Sequence, residues 1–573
     1  MVVWVGMSTF ALSMLFVWQG LDFSDMGFWL TGYQQFYTHP DSMWASCWLS
    51  YFIGHWVGVA LGGGVLAYRL GFVAVVTMSA MVAYRLLASQ FGSSRMLAAM
   101  VLLTVLFTRV YGNWVGYNDL TALFYLVGAA LLYFGLVGNR RLLVVSAGVV
   151  LGANLFVRFP NLLGIALVSA VWLQGWAYRW SLRDVLIGSA GFLGGFTLGI
   201  ALVWGLIVLH GHEALYVQSI RAIFGLAADA NSHHPGSGLL KRFISDHVQA
   251  FAEALSIVVI GGWIANWVSR QKILLASFVI LIVALLLAYV NYVHDQSQWS
   301  VPGLCYVVLL SIVVREFRKD RRLALLAFIA GMVLILAPLG SNNGTRNAVF
   351  GMWLALPLTL TWLWRSFDAA FSLWFKVSGD GFEWNSNLSL EARGIRVFSI
   401  IMVLALLFQS LALAWRHTYC DSKNRFTMTH SIAHPLLAGV YTTAEKAKVV
   451  TELLDALSHF AKPGDEILAY NAIPTVHFLT QTLPWLGIAW PEVNSPEKIA
   501  ALIKQKEQTG ARLPCIVRAT FQTYSTTWPI AVDRLNKSIL KDESRHVFVE
   551  FEQRHGYAVA WSNGFFEILT TAQ

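Results

Sequence analysis

Two carboxylates, Asp22 and Asp25, follow the first hydrophobic run of the chain. The run is about 20 residues long, enough to cross a bilayer, so the two acids are expected where the first helix meets water. From Phe28 to Trp56 the chain is rich in aromatic side chains, a composition typical of helices in the interfacial layer of a membrane. We therefore predict that the Leu21–Gly54 segment holds both acids at headgroup depth. There an ionised carboxylate can act as a general base, or it can simply cap the next helix.

The composition indicates which elements must position these acids. Of 573 residues, 57% are hydrophobic and only 12% are charged, which is too little charge for a soluble protein of this length. The net charge of +9 does not indicate a nucleic-acid partner, because Lys and Arg collect in short clusters between apolar runs, as in cytoplasmic loops. The four cysteines are scattered without the spacing of a zinc site or a disulfide framework. The sequence predicts a polytopic membrane protein.

About 13 apolar runs satisfy the charge rule as membrane-spanning helices, and they divide the chain into two domains. Residues 1–416 form the predicted transmembrane domain, with its clearest cytoplasmic anchor at Arg315–Arg322. Residues 417–573 form a predicted α/β domain on the non-cytoplasmic side of the membrane. Its elements alternate between helix and strand; they are Ala444–Phe460, Glu466–Tyr470, Pro496–Gln508 and Pro514–Ala519.

The other polar residues expected on the outer side come from four further loops. Asp119 follows a short Trp- and Gly-rich segment, and Arg158 lies beside a helix-breaking proline. A polar loop of about 40 residues is predicted over His210–Gln249, which exceeds what a connector needs. It carries three cations, Arg221, Lys241 and Arg242. The last outer loop carries Arg346.

The first loop resembles that of a known superfamily. Asp25-Met26-Gly27-Phe28-Trp29, the aromatic segment, a helix over Tyr51–Gly62 and Arg69 resemble the first periplasmic loop of the glycosyltransferase C superfamily. This superfamily includes protein O-mannosyltransferases and lipid A aminoarabinose transferases, and the resemblance covers roughly the first 415 residues. The loop with Arg346, followed by Leu354–Pro357, resembles the superfamily's arginine-bearing loop before a late Leu-Pro helix.

The resemblance implies a general base at the loop aspartate, hence at Asp25; Met26 stands where the family pattern often has Glu. Asp119 is then the second carboxylate, which either orients the acceptor or, with Asp25, binds a divalent ion. Asp22 is the alternative base. Transfer from a lipid-phosphate sugar also needs cations for the leaving phosphate.

Five cations are candidates for that phosphate: Arg158, Arg346, Arg221, Lys241 and Arg242. Arg158 and Arg346 are favoured because an arginine near a membrane boundary is costly unless it is paired. Each could instead form an interhelical pair or extend to the interface, and Lys241 and Arg242 could instead contact lipid headgroups.

These observations predict a membrane glycosyltransferase that moves a sugar from a polyprenyl-phosphate donor to a lipid-linked glycan or protein acceptor on the periplasmic face. No nucleotide-binding motif and no metal-ligand cluster is present in the sequence, so neither a cofactor nor a bound metal is expected, apart from the divalent-ion alternative. The competing class is a lipid or glycan transporter or flippase, which would place charged groups in mid-membrane and show an internal repeat. A membrane scaffold would not require an acidic, aromatic-lined loop.

Overall fold

The computed structural model describes residues 1–108, 113–228, 236–294, 297–339, 344–365, 371–379, 382–390, 392–416, 418–521, 523 and 543–571. Sixteen α-helices run through the described part of the membrane domain. In chain order they are α1 (Val2–Met14), α2 (Asp25–Gln34), α3 (Trp48–Leu61), α4 (Val65–Phe91), α5 (Arg95–Thr108), α6 (Tyr117–Val137), α7 (Arg141–Asn154), α8 (Ser169–Tyr178), α9 (Leu182–Leu209), α10 (Glu213–Ala228), α11 (Gly236–Ser269), α12 (Ile273–His294), α13 (Ser297–Glu316), α14 (Arg321–Leu336), α15 (Met352–Arg365) and α16 (Ala392–Arg416).

Eight helical segments in the described residues are long and apolar enough to cross a membrane. They are Val65–Phe91, Tyr117–Val137, Phe159–Tyr178, Leu182–Leu209, Gly238–Ser269, Ile273–Asn291, Asn347–Arg365 and Arg393–Arg416. The other five predicted spans coincide with α1, α5, α7, α13 and α14, which have 13 to 20 residues. The multi-pass helical architecture is confirmed, whereas the predicted count of about 13 spans is not.

The first apolar run is only partly helical, because α1 ends at Met14. The backbone beyond it is held by the buried Arg69 of α4, which donates hydrogen bonds to the carbonyls of Val17, Gln19 and Gly20. These carbonyls therefore have a guanidinium partner in place of the amides of a continuing helix.

The prediction of a long polar loop over His210–Gln249 is wrong. Most of it is helical, forming α10 and the first part of α11, and residues 229–235 lie outside the described part. Tyr216 of α10 is buried against Phe156, with ring centroids 5.2 Å apart, while Arg221 is exposed. This part of the predicted loop is therefore a helix with one buried side, formed mostly of apolar residues between polar stretches.

A β-hairpin was also missed in the sequence between α15 and α16. Strand β1 (Phe371–Gly379) pairs antiparallel with β2 (Phe382–Leu390) over their full length. The sequence pattern predicts only a cytoplasmic segment over Arg365–Arg396.

Helix α4 runs from one end of the bundle to the other, since its 27 residues extend about 40 Å. Its N-terminal turn contacts the first loop through Arg69. At its other end, Arg365 stacks on the ring of Phe91, and Gln90 donates to Asp320 in the basic α13–α14 connection. The basic anchor and the acidic loop therefore lie at opposite ends of the bundle.

The tail domain is a small α/β unit, as predicted. Two short strands pair as β3 (His430–Ser431) and β4 (Tyr441–Thr442). The elements that follow are α17 (Ala444–Leu457), β5 (Glu466–Tyr470), α18 (Thr475–Thr480), β6 (Leu483–Pro484), α19 (Pro496–Gln508), β7 (Cys515–Ala519), α20 (Glu543–Arg554), β8 (Tyr557–Ser562) and β9 (Phe566–Thr571). The five strands form one sheet in the order β6-β5-β7-β9-β8, in which β6, β5 and β7 are parallel and β9 is antiparallel to both of its neighbours, β7 and β8.

The tail domain packs directly on the first loop, and the two share one hydrophobic core. Phe23 of the loop contacts Phe566 of β9, with ring centroids 5.7 Å apart. The amide of Thr475 donates to the carbonyl of Phe23 at 3.2 Å. A Cβ atom on Gly27 would lie 2.1 Å from that amide nitrogen, so α2 and α18 approach as closely as only a glycine allows. The tail domain is therefore part of the structure that positions the acids.

Candidate functional site

Asp22 caps α2. Its Oδ1 accepts hydrogen bonds from the amide and the hydroxyl of Ser24, at 2.9 and 2.7 Å. Its Oδ2 accepts from the amide of Met26 at 2.7 Å. The side chain is buried, and burial raises its pKa although these bonds act in the opposite direction. Both oxygens are thus engaged at the helix N-terminus, where such acceptors satisfy unpaired amides.

Asp25, the first residue of α2, points elsewhere. Its half-buried carboxylate accepts a hydrogen bond on Oδ2 from the hydroxyl of Tyr419, which lies beyond the last membrane helix. Burial raises the pKa of Asp25, the nearby Asp22 raises it further, and the Tyr419 hydrogen bond lowers it in part. Among the described residues, none donates a hydrogen bond to the other oxygen, Oδ1. Asp25 therefore offers an acceptor oxygen with a strengthened affinity for a proton.

Aromatic rings from α2, α3 and α6 enclose this region. Trp29 stacks on Tyr51 with ring centroids 4.7 Å apart and contacts Tyr117 at 4.9 Å. The hydroxyl of Tyr33 donates to the carbonyl of Val115 at 2.9 Å, which ties α2 to the start of α6. The acids are thus held by close aromatic packing rather than on a mobile linker.

Asp119 lies in the first turn of α6, next to Trp114. A Cβ atom on Gly116 would lie 3.9 Å from Asp119 Oδ2 and 3.6 Å from the indole nitrogen of Trp114. Trp114 in turn packs edge-on against Tyr419, with ring centroids 5.6 Å apart. The structure therefore brings Asp25 and Asp119 to one region through Tyr419 and Trp114.

No group of three or more His, Cys, Asp or Glu side chains in the described part of the chain is arranged to hold a metal ion. A divalent ion between Asp25 and Asp119 would therefore lack a third protein ligand of these types among those residues.

Arg158 is buried and donates to the carbonyls that follow α14. Its Nη1 lies 3.3 Å from the oxygen of Ala337, and its Nη2 lies 3.1 Å from that of Leu339. Within the described residues it forms no ion pair with a carboxylate. Its charge also acts on the thiol of Cys47: burial raises the pKa of that thiol, and Arg158 lowers it in part. Arg158 is thus a desolvated cation whose described partners are neutral.

The remaining predicted cations are less enclosed. Arg221 of α10 and Lys241 of α11 are exposed. Arg242 lies 3.8 Å from Asp246, whose buried carboxylate packs on Gly344. Arg346 belongs to the 3₁₀ segment Gly344–Gly351, which packs against α6, α11, α13 and α14. Its side chain lies outside the described part of the structure.

Three further residues, all in the tail domain, contribute to this region although no sequence motif marks them as site residues: Tyr419, Asp421 and Lys446. One sequence signal was available for Lys446. It lies on the same helical stripe as Val450, Leu453 and Leu457, and a lysine on an apolar face requires a buried partner. Tyr419 and Asp421 precede any regular element and carry no comparable periodic signal.

No family model and no curated protein matches the chain. Among solved structures, the crystal structure of ArnT from Cupriavidus metallidurans bound to undecaprenyl phosphate is similar over 99% of this chain and 97% of that chain, at 10% identity and a TM-score of 0.44. The apo form of the same protein is similar over 99% of this chain and 96% of that chain, at 11% identity and a TM-score of 0.40. ArnT is a lipid A aminoarabinose transferase.

Proposed function

We propose that this protein is a membrane glycosyltransferase that moves a sugar from a polyprenyl-phosphate donor to an acceptor on the periplasmic face of the inner membrane. The observation that carries the proposal is Asp25. One oxygen of this half-buried carboxylate accepts a hydrogen bond from Tyr419, and no further hydrogen bond from the described residues acts on its pKa.

In the proposed reaction, Asp25 accepts the proton of the acceptor hydroxyl while the acceptor oxygen bonds to the anomeric carbon. The bond from that carbon to the carrier phosphate breaks, and the phosphate leaves with the electron pair. The raised pKa of Asp25 favours this role, because a general base is most effective when its pKa approaches the working pH. Asp119 orients the acceptor.

Arg158 and Arg346 are the proposed contacts of the carrier phosphate. A guanidinium bound only to neutral carbonyls gains a stronger, charge-assisted bond when a phosphate arrives, which supports Arg158. Arg346 is proposed from the sequence resemblance alone. Arg221, Lys241 and Arg242 are proposed to meet anionic headgroups, since all three are exposed.

A lipid-linked donor is proposed in preference to a nucleotide sugar for two reasons. The sequence contains no glycine-rich phosphate loop. The acidic region also lies at the end of the bundle opposite the basic Arg315–Arg322 anchor. For a transporter or flippase, charged groups would follow a path through the bilayer; here Asp22, Asp25 and Asp119 cluster at one end.

The test is sugar transfer by purified protein in lipid nanodiscs, with a panel of lipid-linked, radiolabelled donors. We expect Asp25→Asn to lower turnover by about 10²- to 10⁴-fold, because the amide keeps the side-chain shape but accepts no proton. Donor binding should persist. Asp41→Asn is the matched control, since Asp41 is an exposed acid on the same loop.

Near-normal turnover of Asp25→Asn would reject Asp25 as the base and move that role to Asp119, because both oxygens of Asp22 are occupied. Turnover of a nucleotide sugar alone would overturn the proposed donor.

A further inference from the structure

The start of the tail domain reaches back into the region around Asp25. Helix α16 ends at Arg416, and only two residues separate it from Tyr419. The ring of Tyr419 packs against Trp114, and its hydroxyl donates to Asp25. The bond joins residues 394 positions apart in the chain.

A buried ion pair holds this contact in place. Asp421 and Lys446 are both fully buried, with Lys446 Nζ 3.5 Å from Asp421 Oδ1. Asp421 Oδ2 accepts from the amide of Leu21 at 2.7 Å, and Lys446 Nζ donates to the carbonyl of Leu21 at 2.6 Å. The pair thus forms hydrogen bonds with both the backbone amide and the backbone carbonyl of Leu21 in the first loop. Leu21 is four residues before Asp25, and Asp421 is two residues after Tyr419.

We propose that the tail domain supplies a positioning residue to the site: Tyr419 holds Oδ2 of Asp25 so that Oδ1 faces the acceptor. This inference rests on the proposed function. A carboxylate at the start of a helix has two side-chain torsions, and an acceptor hydroxyl must lie within hydrogen-bonding reach of the correct oxygen. The hydrogen bond from the Tyr419 hydroxyl to Oδ2 restricts the side-chain rotation of Asp25. The Asp421–Lys446 pair holds the segment that carries Tyr419 within hydrogen-bonding distance of Asp25.

Tyr419 also acts on the protonation of Asp25, which separates this role from a purely structural one. A phenol that donates to a carboxylate stabilises the ionised form. Other groups act on the same carboxylate or its neighbours. Among the described residues these are Asp22 beside it, the thiol of Cys420 in the tail segment, Tyr117 on α6, and Lys446 and Arg69, which act through Asp22.

The experiment compares Tyr419→Phe with wild type in the full-length protein. Phenylalanine keeps the ring contact with Trp114 and removes the donor. Dicyclohexylcarbodiimide reacts with protonated buried carboxyl groups, so its attachment to Asp25, measured by mass spectrometry against pH, reports the titration of that group. Asp25→Asn identifies the signal. Tyr441→Phe is the matched control, because Tyr441 is an exposed tyrosine of the same domain.

We expect the midpoint of Asp25 modification to rise by about one to two pH units in Tyr419→Phe, as the loss of a hydrogen bond to an ionised group implies. Turnover measured below the wild-type midpoint should fall by a corresponding factor, about 10- to 100-fold. It should recover only in part at higher pH, because Asp25 is then ionised but its Oδ1 is no longer held toward the acceptor. Tyr441→Phe should leave both profiles in place.

A midpoint that stays unchanged or falls in Tyr419→Phe overturns the inference. The carbodiimide titration needs no substrate, so it decides the role of Tyr419 even if the wild-type protein transfers no sugar. Absence of transfer by wild type with every donor would instead count against the proposed function.

Discussion

Replacing Lys446 by methionine should weaken the docking of the tail domain on the first loop. Methionine fills a similar volume but leaves the carboxylate of Asp421 buried without its cation. Breaking a buried ion pair by removing one partner typically costs about 3–5 kcal/mol. Asp421 keeps hydrogen bonds from Leu21, Thr442 and Ser422, so the lower part of that range is expected.

A cost of about 3 kcal/mol corresponds to roughly a hundredfold change in an equilibrium constant. Hydrogen exchange measured by mass spectrometry reports this change, because amides protected by docking exchange only when the contact opens. The informative amides are those of Leu21, bonded to Asp421, and Thr475, bonded to the carbonyl of Phe23. Their exchange in Lys446→Met should be faster by about two orders of magnitude.

Lys448→Met is the matched control on the same helix. Lys448 is 77% exposed and lies 3.9 Å from Glu452, and exposed pairs of this kind contribute little to stability. Asp421→Asn combined with Lys446→Met should regain part of the loss, because no buried charge is then left unpaired. Equal exchange rates in Lys446→Met and Lys448→Met would refute the inference that the Asp421–Lys446 pair holds the tail domain on the first loop.

Two further predictions concern the site and its orientation in the membrane. Because a general base must be ionised, wild-type turnover should fall as the pH decreases through the pKa of Asp25, which burial and then Asp22 raise above the ordinary 3.8. Asp22→Asn should move this acid limb to lower pH by removing the neighbouring charge; a limb that stays in place would show that another group sets it. For topology, a membrane-impermeant maleimide added to spheroplasts should label Lys462→Cys in the tail but not Arg322→Cys in the basic connection. The reverse labelling pattern would reject a periplasmic tail.

Most of the helical framework could be predicted because the signal for a membrane helix is local. The apolar windows Val65–Leu87, Val185–Leu209 and Val397–Ala414 lie within five residues of the bounds of α4, α9 and α16. A membrane helix satisfies its own backbone hydrogen bonds whatever surrounds it. In the tail, β5 and α19 have the predicted bounds. Helix α10 has only two charged residues, Glu213 and Arg221, and the sequence pattern places it in a polar loop because histidines and charged residues flank it on both sides. Its packing against Phe156 exists only in the tertiary structure.

The sequence by itself determined the membrane class and the loop that carries the acids, since these depend on composition and local pattern. It did not separate the roles of Asp22 and Asp25, two acids of one type three residues apart. The tertiary structure separated them: Asp22 turns back onto the amides of Ser24 and Met26, while Asp25 meets Tyr419. A contact between residues 394 positions apart leaves no mark in a local sequence pattern, because it exists only once the tail domain has packed onto the first loop.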